Sequence, residues 1–500
     1  SRFLPLFGEE RMCECIRRNC MSVQIIIIAA YFLLTLVVGV VTSKGTNNKE
    51  FHGKQLGVAA IVCASAGEWL GGTATTGVSE YGFIYGISGA WYTIANGLGV
   101  LFLAIFFAKI YRSIGRMTIP GIIEHVFGRK AQIVSSILLV FVMLAVGMSQ
   151  IIAAGKFGEA LLGIDFYLSA IVFTCIFVVY TLAGGMKAVS STNTMHLFVM
   201  YLGILVTVII LITRIGGWGD FTRAISEIDG MEGTNHLSMM AIGFPKISSW
   251  VIASLLGACT AQAGIQPVLG AKDASTARKA CFYTALVTAP FGIMTALIGI
   301  VGKVMSEQGS LLDLSGNIVT DGKLALTSVM MTLPPFIGGL VLAAELAAIL
   351  STASPIILAA GTMLTKDFYQ TKINSFAGEK ELLAVSRITT AISGFICCLG
   401  AIALVNNNNV LDIVYSAYSL RGAIFVVLIY GFVWKKANVK AACLSMICTG
   451  AVAISWVLFK LIFGHYPIAS WFTETYAAVI TAALTMLILS IFFNKVREGQ

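Results

Sequence analysis

The chain has 500 residues, of which 57 % are hydrophobic and only 11 % charged, with a formal net charge of +9. Soluble domains carry about 25 % charged residues, so this composition cannot cover a water-exposed surface. It excludes a water-soluble globular protein, a disordered chain and a nucleic-acid binder, and leaves an all-α polytopic membrane protein with its positive charge in loops.

A bilayer span needs about 20 predominantly apolar residues. In chain order thirteen stretches qualify: 23–42, 55–79, 86–110, 131–162, 166–184, 193–215, 247–270, 280–303, 335–364, 384–405, 410–434, 439–463 and 475–493. No soluble domain is left over. Residues 1–20 form a polar leader with Arg2, Arg11, Arg17 and Arg18, and lack a signal-peptide core. Met21 stands directly before the first apolar run, so the expected native start is Met21 and the leader non-native; a genuine N-terminal arm is the alternative. Of the eleven cysteines, Cys13, Cys15 and Cys20 cluster in the leader with no His beside them, a poor metal-ligand set. The others lie in apolar stretches as small hydrophobes.

Alternating the loops separates the charges. One set holds most of the 33 basic residues, among them Lys44, Lys49, Lys54, Arg112, Arg116, Arg129, Lys130, Lys272, Arg278, Lys279, Lys435 and Lys436. The other holds chiefly Arg223, Lys246 and Lys323 beside seven acids. The positive-inside rule makes the first set cytoplasmic, with the N-terminus outside and the C-terminus inside a multi-pass cell-membrane protein.

Two spans are interrupted by small and polar residues. Span 2 reads Cys63-Ala-Ser-Ala-Gly-Glu-Trp-Leu-Gly-Gly72; span 7 reads Gly257-Ala-Cys-Thr-Ala-Gln-Ala-Gly-Ile-Gln-Pro-Val-Leu-Gly270. Each opens a block of five spans, which is the pattern of an inverted-repeat transporter with a midplane site. The bland reading is that small residues only permit close helix packing. Glu68, Gln262, Gln266 and Pro267 in the same stretches favour the site, because intramembrane polar groups are costly. In span 9, Ser351 and Thr352 could offer hydroxyl oxygens to a hard monovalent cation. A lone Ser-Thr pair more often back-bonds to its own helix.

These stretches together resemble the sodium:solute symporter family, which includes sodium–proline, sodium–galactose and choline transporters. The resemblance runs from about residue 23 to 434. Its most specific piece is Tyr180-Thr-Leu-Ala-Gly-Gly-Met-Lys-Ala-Val-Ser-Ser-Thr-Asn193, similar to Y-T-x-x-G-G-x-x-A-V-x-x-T-D. Ser351-Thr-Ala-Ser354, followed by Asp367-Phe-Tyr369, is similar to S-[ST]-x-S and D-[IFL]-Y. Ser65 to Gly71 is similar to S-A-x-x-[FW]-[IL]-G, and Gln266 to Lys272 to Q-R-x-L-x-A-K with Pro267 in place of Arg.

The resemblance implies the five-plus-five inverted-repeat (LeuT-like) fold. The leading helix and loop would occupy 21–54, the repeats 55–216 and 247–434, and two trailing helices and a tail 435–500. It implies sodium-driven symport of a small organic solute by alternating access. The partners are that solute, Na⁺ and the bilayer; no cofactor is expected beyond the coupling ion, and the protein should be a monomer or weak oligomer. Carried over by position, sodium would meet the carbonyls of Ile61, Ala64 and Ala348 and the hydroxyls of Ser351 and Thr352. Asn193 stands where the family has Asp, and Pro355 where it has Ser, which leaves a second sodium site short of charge and oxygen.

The expected solute contacts are Glu68, Trp69, Gln262 and Gln266. A carboxylate at the opened part of span 2 favours a cationic or amine-bearing solute, with Trp69 offering cation–π contact. Its alternative is a protonated or solvated Glu. Glu345 is a second deep acid, expected toward the outer vestibule. A carrier of an organic acid or sugar, coupled to sodium or protons, is the competing transport reading. An intramembrane enzyme lacks a motif such as H-E-x-x-H, and a sensor would need an output domain beyond Gln500.

Overall fold

A computed structural model describes residues 10–43, 56–116, 118–406 and 410–498 of the protein. Lys44, Lys49 and Lys54, and the side chains of Cys13, Cys15, Cys20 and residues 183–191 in the Tyr180–Asn193 motif, lie outside the described residues.

The described chain is helical apart from two isolated bridges. Helix α1 (Glu10–Ser43) takes the second half of the polar leader into the same helix as the first apolar run. Next come α2 (Val58–Trp69), a π-helical turn at Thr73–Gly77 and α3 (Val78–Tyr85), which together make the second expected span. The third expected span holds α4 (Trp91–Phe102) and α5 (Ala108–Ile114). A short helix α6 (Ile119–Phe127) starts where the Thr118 hydroxyl accepts the Gly121 N–H and Pro120 fills the first turn. It leads into α7 (Arg129–Leu162).

The longest helix, α8 (Phe166–Arg214), runs through the boundary expected between spans 5 and 6. Its 49 residues hold two apolar segments, 166–179 and 192–214, within the two expected spans or close to their bounds. Helix α9 (Trp218–Glu232) occupies the polar gap that follows. Then come α10 (Phe244–Gly257), α11 (Gln262–Leu269), α12 (Ala274–Glu307), α13 (Gly322–Met331), α14 (Pro335–Met363), α15 (Glu379–Leu404), α16 (Val410–Val433), α17 (Val439–Phe463) and α18 (Glu474–Glu498).

Among the described residues nine helices are long and apolar enough to cross a membrane, or ten if the bent pair α10–α11 is one span. The expected count of thirteen is not reached on length alone. Segments 22–35, 58–69 and 166–179 are apolar helices of only 10–17 residues.

The packing centres on α14, buried at nearly every position from Gly338 to Met363 and packed against α8, α7, α1 and α15. Small residues let the helices approach closely. A Cβ on Gly203 of α8 would sit 2.4 Å from the Ala344 Cβ. Where α3 crosses α12 the backbones themselves meet: a Cβ on Gly299 would lie 2.1 Å from the Ser79 carbonyl oxygen, and one on Gly82 would lie 2.4 Å from that of Ala296. Gly299→Ala should therefore destabilise the protein by about 1–3 kcal/mol, the scale of overpacking, despite Ala's better helix propensity. The apparent melting temperature of detergent-purified protein should fall. Gly230→Ala, with nothing within 4 Å, should leave it unchanged or raise it.

Candidate functional site

Two helix breaks face each other inside the bundle. Helix α2 ends at Trp69, where Leu70 (φ −105°, ψ 35°) leaves helical geometry. Helix α10 ends in a 3₁₀ turn at Ala258–Thr260, and Ala261 (φ −73°, ψ 87°) bends the path by 44° into α11. Leu56 N–H donates to the Gly270 carbonyl (3.0 Å) and Lys272 N–H to that of Leu56 (3.1 Å). Further in, Ser65 Oγ donates to the Gly264 carbonyl at 3.0 Å. The start of α2 thus pairs with the end of α11, and the two run antiparallel. Gly264 is required here: a Cβ would come within 2.6 Å of Glu68 Oε2 and 2.9 Å of the Trp69 ring.

The break in α2 frees carbonyls. Gly72 N–H donates to Gln150 Oε1 (2.8 Å) instead of to the carbonyl of Glu68, four residues back. Hydroxyls from α14 take up the released acceptors. Ser351 Oγ lies 2.8 Å from the carbonyls of both Gly67 and Ala348. Thr352 Oγ1 lies 3.0 Å from those of Gly67 and Glu68. Gly71 lets α14 this close, since a Cβ there would fall 2.1 Å from Thr352 Oγ1. Two hydroxyls and three carbonyls therefore converge, all neutral and buried. The carbonyls involved on α2 belong to Gly67 and Glu68, beside the break. Ile61 and Ala64 lie earlier on the same helix, also buried.

Pro355 has no N–H, so the Ser351 carbonyl lacks its helical donor. Asn193 Nδ2 donates to it at 3.2 Å. The Asn that departs from the family motif thus meets a need created by the Pro that departs from it four residues beyond Ser351.

On the opposite side of the break, α16 contributes Arg421, which is 1 % exposed. Its guanidinium lies 3.8 Å from the Tyr418 ring centroid and 5.4 Å from that of Trp69. Nε and Nη2 of Arg421 and Oε2 of Glu68 have no hydrogen-bond partner among the described residues. The Arg421 charge acts on Glu68 without forming a direct ion pair. Arg421, in span 11, is not among the contacts expected from the sequence. The signal was present, since Arg421 is the one basic residue in the apolar run 410–434.

The remaining expected contacts are dispersed. Trp69 is buried, with its ring against Gly264. Gln262 Oε1 accepts the Ile119 N–H at 2.8 Å and so ties α11 to the start of α6. Gln266 sits a turn further along α11, half-buried. Glu345 is fully buried and accepts the hydroxyls of Thr327 (2.9 Å) and Thr76 (3.3 Å). Among the described residues no cluster of His, Cys, Asp or Glu could hold a metal.

Residues 51–449 match the model of the sodium:solute symporter family. The chain belongs to that family. A high-affinity proline transporter of Bacillus subtilis is 24 % identical over 482 residues, which cover 91 % of this chain and 98 % of that protein. A sodium/glucose cotransporter of Vibrio parahaemolyticus is 23 % identical, over 94 % of this symporter and 89 % of its own length. Among solved structures, a Na⁺-coupled sialic acid symporter in a substrate-bound outward-open state superposes with a TM-score of 0.75 at 18 % identity, covering 94 % of this chain and 98 % of that one. MhsT in complex with L-phenylalanine gives 0.55 at 14 %, covering 87 % and 99 %. The fold is the expected inverted-repeat transporter fold, and the protein is a sodium-coupled symporter of a small solute, not an enzyme.

The Asn193–Pro355 relation can be tested by a double-mutant cycle. Asn193→Ala should destabilise by about 1–3 kcal/mol, because it orphans a buried carbonyl. Pro355→Ala restores the N–H, so adding it should abolish most of that cost, read as melting temperatures in detergent. Additive losses would show that the amide does not serve this carbonyl.

Proposed function

We propose that the symporter moves one sodium ion together with a zwitterionic small solute, such as an amino acid. The observation that carries this is that the Arg421 charge acts on buried Glu68 beside the helix breaks, with polar atoms of both side chains left without hydrogen-bond partners among the described residues. A buried carboxylate alone would favour a cation. With a guanidinium beside it, the complementary solute presents a carboxylate to Arg421 and an ammonium group to Glu68. The proline carried by several relatives has this charge pattern.

Sodium would sit where the Ser351 and Thr352 hydroxyls meet the carbonyls beside the α2 break. Once turned, those hydroxyls offer lone pairs to the cation instead of hydrogens to the carbonyls. The family-based carbonyl of Ala348 is already beside the Ser351 hydroxyl; those of Ile61 and Ala64 would join if α2 shifts along α14 during the cycle. A single sodium follows from Asn193, which brings an amide donor where a second cation would need a carboxylate. Both breaks and the hydroxyl pair come from one chain, which supports a functional monomer.

Uptake of labelled L-proline into vesicles, in sodium chloride against choline chloride, tests the reading. L-amino acids should compete; D-glucose and choline should not. Glu68→Gln and Arg421→Gln should each weaken the solute by roughly 2–5 kcal/mol, the scale for breaking a buried charge contact. Ser351→Ala and Thr352→Ala should each raise the sodium concentration needed for half-maximal uptake. Glucose or choline import with wild-type affinity in both charge variants would sink the zwitterion reading. Unchanged sodium dependence in both hydroxyl variants would sink the ion site.

For orientation, the distribution of basic loops supports an outside N-terminus, a cytoplasmic C-terminus and a place in the cell membrane. A cysteine introduced within 220–240 should react with an impermeant maleimide on intact cells, and one within 372–380 should not. The opposite pattern would invert the topology.

A further inference from the structure

Glu345 is fully buried in the middle third of α14, apart from the hydroxyl cluster and from the Glu68–Arg421 pair. Its carboxylate meets only hydroxyls. Thr327 Oγ1 of α13 lies 2.9 Å from Oε1 and 3.1 Å from Oε2, and Thr76 Oγ1, in the π-helical turn after the α2 break, lies 3.3 Å from Oε1. Among the described residues no ion pair reaches it. The charged groups on the elements around it are engaged with one another. Glu80, one turn beyond Thr76, accepts the Val410 N–H at 3.0 Å and faces Lys323 of α13 at 3.7 Å. Lys156 of α7 pairs with Asp321 at 3.0 Å and with Glu159 at 2.9 Å. On α8, His196 meets the Tyr31 hydroxyl of α1, and Arg214 donates to the Thr332 carbonyl at 2.9 Å. Glu68 of α2 lies in the field of Arg421, and α11 carries no charged residue. The charges of α15 precede Thr390, which meets Gly361, sixteen residues past Glu345.

An ionised carboxylate with no cation beside it is costly in such an interior. The neutral acid needs one acceptor for its O–H, and either Thr hydroxyl can serve. The packed arrangement therefore holds Glu345 with its proton. The same seam carries the hydroxyl cluster. Along the two chains in opposite directions, Thr352 packs on Gly71, Ile349 on Gly72 and Glu345 on Thr76. A Cβ on Gly71 would fall 2.1 Å from Thr352 Oγ1, and one on Gly72 would fall 3.1 Å from Ile349. Glu345 stands six residues before Ser351, about 9 Å of helix. A movement that parts this seam exposes both the carboxyl and the hydroxyls.

We propose that Glu345 is a proton-binding site linked to sodium. Its carboxylate takes a proton from solvent when the seam between α14 and the broken span closes, and returns it when the seam parts. Sodium held by Ser351 and Thr352 favours the closed seam, so it favours protonation of Glu345. By reciprocity, acid pH tightens sodium binding. The link rests on the sodium site proposed above, whereas the proton on Glu345 rests on its own surroundings. Neither depends on which solute is carried.

The test uses the detergent-purified protein with no solute. Sodium chloride added to a weakly buffered solution should raise the pH, by uptake of up to about one proton per protein, and choline chloride should not. Glu345→Gln keeps the shape of the neutral acid and should lose this uptake; Glu345→Met serves should the Gln variant not fold. The sodium concentration that gives half of the thermal stabilisation should rise several-fold between about pH 6 and pH 8 in the native protein. In Glu345→Gln it should stay near its low-pH value. No proton uptake, or an equal uptake in Glu345→Gln, overturns the proposal. Proton release on adding sodium, lost in Glu345→Gln, overturns it in favour of a carboxylate that binds the cation itself. Uptake that needs Glu345 but occurs at the same sodium concentration in Ser351→Ala and Thr352→Ala would instead remove the hydroxyl ion site and leave the proton site standing.

Discussion

The rest of the site depends on one exchange of hydrogen-bond partners, at the end of α2. An unbroken helix would return the carbonyls of Gly67 and Glu68 to N–H groups one turn later, and nothing at that depth could use them. Here Gly72 gives its N–H to Gln150, and the hydroxyls of Ser351 and Thr352 approach from α14. That approach requires Gly71 to carry no side chain. The break therefore joins three helices, α2, α7 and α14, through polar contacts that a continuous span could not make. The carbonyls of Gly67, Glu68 and Ala348 all lie within hydrogen-bond reach of these two hydroxyls.

The charges beside the break work differently. A carboxylate or a guanidinium buried alone in this interior would each cost several kcal/mol. Glu68 and Arg421 lie close enough for their fields to offset one another, without spending their hydrogen-bonding atoms on each other. The aromatic faces of Trp69 and Tyr418 cover the guanidinium, which is more weakly hydrated than an ammonium and tolerates such contact. The result is a pair whose charges offset one another in part, with Oε2 of Glu68 and Nε and Nη2 of Arg421 left without hydrogen-bond partners among the described residues. A directly bonded salt bridge would offer a solute much less.

The sequence makes the class, the breaks and the hydroxyl pair legible, because each is written in neighbouring residues. Composition demands a membrane, Gly67, Gly71 and Gly72 mark one break, and the stretch from Gly257 to Gly270 marks the other. Arg421 was not legible as the partner of Glu68, since 353 positions separate them and only the fold joins α2 to α16. The Gly67 and Glu68 carbonyls were missed for a related reason. Motif matching carries over positions, but which carbonyls are free depends on where each helix loses its donors, here at Gly72. The continuity of α8 was hidden because residues 185–192, with Lys187, Ser190, Ser191 and Thr192, fall between the two expected apolar spans, whereas the backbone there stays helical.

Asn193 and Pro355 show why a departure from a motif has to be read with its surroundings. Taken alone, Asn for Asp is a lost charge and Pro for Ser a lost hydroxyl. Taken together, the Pro withholds an N–H from the Ser351 carbonyl and the Asn amide supplies one. A carboxylate at 193 would set an acceptor against an acceptor unless a cation lay between them. An amide needs no such mediator. The pair therefore converts a place where an ion would be obligatory into one closed by a neutral hydrogen bond, next to the hydroxyls proposed to hold sodium. On the one-sodium reading proposed above, coupling to one ion instead of two would follow from this hydrogen bond between α8 and α14.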